Sequence, residues 1–95
     1  MQFEWDTTKD YINQRKHGIS FSTAKKVFGD VNRLDVPDEF HSYEEERRIT
    51  IGKAGSVLFV VYTVRRNNVI RLISARKANA AERKFYYDCN RILEY

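Results

Sequence analysis

The sequence predicts an α+β domain: two N-terminal helices, an antiparallel β-sheet meander and a C-terminal helix, with residues 1–95 forming a single domain. Three observations carry this. Helical spacing and capping residues are confined to the two ends of the chain, and β-branched runs separated by turn signals occupy its middle. At 95 residues, 42% apolar and 14% aromatic, the chain supports one core and is too short for two.

Asp6 is placed to cap a first helix, its carboxylate accepting the free backbone N–H groups of the first turn. Gly18 ends that helix after His17 by supplying a left-handed residue. Ser20 or Ser22 caps a short second helix with the apolar face Ala24, Val27 and Phe28, closed by Gly29-Asp30. Arg33 to Val36 reads as a strand stopped by Pro37, and Phe40 to Glu46 as an acidic loop. Arg47 to Lys53 alternates: Arg47, Ile49 and Ile51 share one face, Arg48 and Thr50 the other. Ala54-Gly55 signals a hairpin. Ser56 to Val64 is apolar on both faces, the pattern of a central strand covered from both sides. A turn at Arg66-Asn67-Asn68 leads to a last strand, Val69 to Ala75. Asn79, with Glu82 three residues on, forms a capping box for a helix to about Leu93. Its expected core stripe is Phe85, Cys89 and Ile92, which makes Cys89 a buried structural thiol.

Composition narrows the function. A single cysteine excludes a disulfide framework and a cysteine-rich zinc site, and suits a reducing cytoplasm. The longest apolar run, Val57 to Tyr62, is too short to span a membrane, and the N-terminus lacks the pattern of a signal peptide. The formal net charge of +4 is unevenly spread. Residues 1–45 carry 6 Lys+Arg and 9 Asp+Glu, whereas residues 46–95 carry 11 and 4. A basic half on so short a chain is the footprint of a nucleic-acid or acidic protein partner, with the acidic half expected to be scaffold and loop.

No phosphate-binding glycine loop and no nucleophile elbow is present, and neither His17 nor His41 has a Cys or His at ligand spacing. Side chains alone must then do any chemistry. RNA cleavage fits, because the ribose 2′-hydroxyl is itself the nucleophile. The protein need supply only proton transfer and cations at the phosphate. The C-terminal half holds such a set in Arg65, Arg71, Arg76, Lys77, Glu82, Arg83 and Tyr86. Arg71 and Arg76 have opposite parity on a straight strand, so they converge only if Arg76 lies past the strand end. Each residue also has a structural reading: Glu82 as a cap, Tyr86 as packing, His17 as a helix C-terminal cation.

Three blocks of residues, in order, resemble a known family. The first is Phe3-Glu4-Trp5-Asp6, Lys9, Asn13, Lys16-His17-Gly18-Ile19-Ser20-Phe21, Ala24 and Val27-Phe28-Gly29-Asp30. The second is Glu46-Arg47, Ile51-Gly52, Val60-Val61-Tyr62-Thr63 and Arg65. The third is Ile70-Arg71, Ile73-Ser74-Ala75-Arg76-Lys77-Ala78, Glu82-Arg83 and Tyr86. Together they resemble the BrnT toxins of type II toxin–antitoxin systems over nearly the whole chain. Arg48 departs from the aromatic residue common at that position in relatives.

The resemblance implies a RelE-like fold and a cytoplasmic, metal-independent endoribonuclease that needs no cofactor. The catalytic positions expected from it are His17, Arg47, Arg76, Glu82 and Tyr86, with Glu82 or His17 as base. Lys16, Arg65, Arg71, Ser74, Lys77 and Arg83 are expected to bind RNA. The implied partners are an RNA substrate and a BrnA-type antitoxin with a ribbon-helix-helix part, which reaches operator DNA on the toxin's behalf. Two rival readings are an inactive toxin-fold module acting as antitoxin partner and co-repressor, and plain nucleic-acid binding without cleavage.

Overall fold

In the computed structural model, described over residues 1–41 and 45–91, Asp6 accepts hydrogen bonds from the amides of Thr8 (2.8 Å) and Lys9 (3.1 Å). These open α1 (Thr7–His17), which Gly18 ends at φ 71° with its amide donating to the Gln14 carbonyl. Ser20 caps the next segment through the Thr23 amide at 3.0 Å. The expected second helix is divided there into α2 (Phe21–Ala24) and a 3-10 turn (Lys25–Gly29).

The sheet has five strands: β1 (Phe3–Glu4), β2 (Leu34–Pro37), β3 (Arg47–Ala54), β4 (Ser56–Val64) and β5 (Ile70–Lys77). Their spatial order is β1-β5-β4-β3-β2. β2 to β5 form the expected antiparallel meander, but β1 pairs parallel to β5, Phe3 beside Ile70 and Glu4 beside Arg71. The sheet is therefore mixed, which corrects the purely antiparallel expectation. A two-residue strand is too short for any period to mark it in a sequence. The chain closes, within the described residues, with α3 (Ala80–Arg91), opened by a reciprocal capping box between Asn79 and Glu82.

The two faces of the sheet are covered unequally. Phe21, Ala24 and Val27 pack with Leu58, Val60, Tyr62, Ile70, Leu72 and Ala75 in the larger core. Gly52 permits this closeness, since a Cβ there would lie 2.7 Å from Val27 Cγ1 and 2.9 Å from Arg33 Cβ. β1 covers only the first two residues of β5, and buried Asn13 of α1 completes that edge. Its side chain donates to the Ala75 carbonyl (2.8 Å) and accepts from the Ala75 amide (3.1 Å), taking the place of a missing strand.

On the opposite face α3 covers only one end, where Tyr86 packs with Ile51, Val57 and Ala78. The expected stripe of Phe85, Cys89 and Ile92 is corrected here. Phe85 is 47% exposed and Cys89 is exposed, while Ile92 lies outside the described residues. The inward stripe is Glu82, Tyr86 and Asn90, spaced i, i+4, i+8, each tied to the body by hydrogen bonds. No helix of the described residues is long and apolar enough to cross a membrane.

Candidate active site

The uncovered part of this second face holds a cleft of about 440 Å³. Its floor is Ile49, Phe59, Val61 and Ile73, and its polar walls are Arg47, Ser74, Arg76, Asp38 and His41. These apolar residues of β4 read as doubly buried in the sequence. They instead floor an open groove that the described part of α3 does not cover.

A register step in β5 assembles the cleft. Tyr62 pairs with Leu72 and Val61 with Ser74, so Ile73 has no partner on β4. Such a bulge changes the parity of the strand beyond it. Arg71, Ser74 and Arg76 stand opposite Thr63, Val61 and Phe59, which alternate onto one face. Arg71 and Arg76 therefore share a face with Arg76 inside the strand, correcting the expectation that Arg76 must lie past its end. Arg47, opposite Thr63 on β3, joins the same face.

Arg76 is held on three sides. Its guanidinium carbon lies 4.0 Å from the centre of the Phe59 ring. Its terminal nitrogens donate to the two Glu82 oxygens at 2.7 and 2.9 Å, and Nη1 also donates to the Lys77 carbonyl. The bond from Arg76 holds the Glu82 carboxyl below its usual range despite opposing burial, and Glu82 raises the Arg76 guanidinium in turn. Glu82 Oε1 also accepts the Asn79 amide at 2.9 Å. With both oxygens engaged, Glu82 is a weak proton acceptor.

The remaining candidates are distributed around this centre. Arg71 pairs with Glu4 at 2.6 Å and Arg65 with Glu45 at 3.6 Å, so each carries its own counter-charge. Arg83 donates to the Ala78 carbonyl, and Lys77 is exposed at the end of β5. Lys16 and His17 sit in the last turn of α1, outside the residues lining the cleft. Tyr86 is buried at 4% exposure and also outside the lining. Its hydroxyl donates to Asp30 Oδ2 at 2.5 Å, and burial together with that carboxylate pushes the phenol upward. Asp30 is itself lowered: burial raises it, but bonds from Tyr86 and from the amides of Asn32 and Lys53 outweigh this.

Asp38 and His41, the latter considered from the sequence only as a metal ligand, also belong to the cleft. Asp38 is buried, and its amide donates to the Arg47 carbonyl at 2.8 Å, extending the β2–β3 pairing by one residue. His41 follows one turn later with Nδ1 3.1 Å from both Asp38 oxygens. The signal available was an Asp-x-x-His spacing directly after a strand-ending proline. This part of the acidic half thus lines the cleft, against its expected role as scaffold. On the other face Arg48 donates to Asp35 (2.6 Å), which also accepts from Arg33 and Tyr62.

A single sheet face bearing arginines from two strands beside a histidine–carboxylate pair is the equipment of a phosphate-handling protein. The comparisons define the class further. A family model described as ribonuclease toxin, BrnT, of type II toxin–antitoxin system matches residues 5–82. The chain belongs to this BrnT toxin family. A crystal structure of the Brucella abortus ribonuclease toxin BrnT aligns with a TM-score of 0.66 at 22% identity, covering 83% of this chain and 97% of that one. At that identity the likeness speaks for the fold. Among curated proteins no relative matches.

Proposed function

We propose that this chain is a metal-independent endoribonuclease toxin whose substrate lies across the open face of the sheet. The convergence of Arg47, Ser74 and Arg76 from two strands on one cleft carries this reading. Arg76, preset by Glu82 and Phe59, retains N–H groups that are not used internally and presents them to a phosphate. With Arg47 it stabilises the charge that builds on the equatorial oxygens as the 2′-oxygen attacks. Ser74 adds a neutral donor between them. Arg65, Arg71, Lys77 and Arg83 extend the positive field along the strand of RNA, their effect moderated by Glu4 and Glu45. Tyr86 and Glu82 act through position: one docks α3, the other orients Arg76.

Within this reading the toxin acts in the cytoplasm on a RelE-like arrangement and is neutralised by a BrnA-type antitoxin whose ribbon-helix-helix part contacts operator DNA. Incubation of purified protein with RNA in EDTA tests the enzymatic claim. Cleavage that Arg76→Ala abolishes is expected, with growth arrest on expression of the parent chain. Intact RNA at every protein concentration, with antitoxin binding preserved, would instead identify an inactive partner module.

A further inference from the structure

We infer that the Asp38–His41 pair is the proton-transfer device of the cleft, with His41 the catalytic base and Asp38 its positioning residue. This rests on the ribonuclease reading above and adds to it the group that starts the reaction. RNA transesterification needs a proton acceptor beside the cationic phosphate site, and four observations converge on His41. It lines the same cleft as Arg47, Ser74 and Arg76. Its Nδ1 meets both oxygens of a buried carboxylate at 3.1 Å, which fixes the proton on Nδ1 and leaves Nε2 as the acceptor. Its side chain is 63% exposed and so can meet a substrate without rearrangement. The other candidate acceptors are otherwise engaged: Glu82 by Arg76 and Asn79, Tyr86 by Asp30, while His17 lies outside the cleft.

The step balances as follows. His41 Nε2 takes the proton of the ribose 2′-hydroxyl while the 2′-oxygen bonds to phosphorus. The bond from phosphorus to the 5′-oxygen breaks, and that oxygen takes a proton from water at the open mouth of the cleft. The hydroxide left behind collects the proton from His41. The products are a 2′,3′-cyclic phosphate and a 5′-hydroxyl. Among the described residues, the charged groups that line the cleft with His41 are Asp38 on its own loop, Arg47 on β3 and Arg76 on β5, with Glu82 of α3 paired to Arg76.

Cleavage of a short RNA would be followed against pH for the parent, His41→Ala, His41→Gln and Asp38→Asn, with RNA affinity and melting temperature measured alongside. The expected result is a loss in kcat of about 10²–10⁴-fold in both His41 variants with RNA affinity retained. The acidic limb of the profile should disappear, and free imidazole should restore part of the rate to His41→Ala. Asp38→Asn should lower kcat with KM unchanged. Folded His41 variants cleaving within about threefold of the parent, with the same pH profile, would overturn the inference and leave the ribonuclease reading intact, since the expected loss is far larger. Cleavage of RNA carrying 2′-deoxyribose at the scissile position would overturn it too. A parent chain that cuts no RNA removes both readings together.

Discussion

Arg76 of β5 and Glu82 of α3 meet through two parallel hydrogen bonds of 2.7 and 2.9 Å, and the same carboxylate caps the helix that carries it. One side chain thus fixes both the start of α3 and the aim of the guanidinium in the cleft. Glu82→Gln keeps the shape and an oxygen for the Asn79 amide but loses the charge. We expect kcat for RNA to fall about tenfold, ~1.4 kcal/mol in barrier, with a stability loss of about 1 kcal/mol. Steady-state kinetics beside thermal melting separates the two effects.

Tyr86→Phe removes the hydroxyl from Asp30 without disturbing the ring that packs on Ile51 and Val57. The loss of this bond to a carboxylate is expected to cost about 1–2 kcal/mol of folding stability. Cleavage rate should be unchanged, because the hydroxyl lies outside the cleft. A large loss of kcat in a variant that melts near the parent temperature would return Tyr86 to the chemistry.

Acid stability should follow Asp30 and Glu82. Both carboxyls are lowered in the folded chain, so their contribution is present above the unfolded carboxylate range of about 4 and is lost as pH falls through the folded values. Denaturant midpoints should drop steeply on the acid side, and Asp30→Asn with Glu82→Gln should flatten that slope while lowering stability at neutral pH. Tyr62 and Tyr86 are raised, Tyr62 by burial and then by Asp35. Their contribution holds below about pH 10 and fades above it.

Gly52→Ala would drive a methyl into Val27 and the Arg33 stem, where the backbone of β3 crosses the 3-10 turn. We expect a loss of about 1–3 kcal/mol, read as a lower melting temperature. The cleft lies on the other face, so residual folded protein should bind RNA as the parent does.

What the sequence revealed divides along physical lines. The Asp6, Gly18 and Ser20 caps and the Asn79–Glu82 box were legible because each joins residues no more than four apart. The parallel strand at Phe3 and the unpaired Ile73 were not, since both depend on which distant backbone lies alongside. The inward face of α3 was misjudged for a different reason. Phe85 and Cys89 are more apolar than Tyr86 and Asn90, yet the polar atoms of the latter find Asp30 and Asn32 and make that stripe the better fit. Arg47, Ser74 and Arg76 stand out in the sequence as candidate phosphate contacts, whereas His41 stands out only as a metal ligand without companions.

Ile73 also bears on which lesions can silence such a gene. An in-frame loss of that one codon would close the bulge: Leu72 and Ser74 become neighbours, still opposite Tyr62 and Val61, and Arg76 stays opposite Phe59. Ser74 and Arg76 would keep their places over the groove, which loses one apolar side chain of its floor. Among clones selected to survive the toxin without its antitoxin, three-nucleotide deletions at this codon should therefore be rare beside substitutions of arginine.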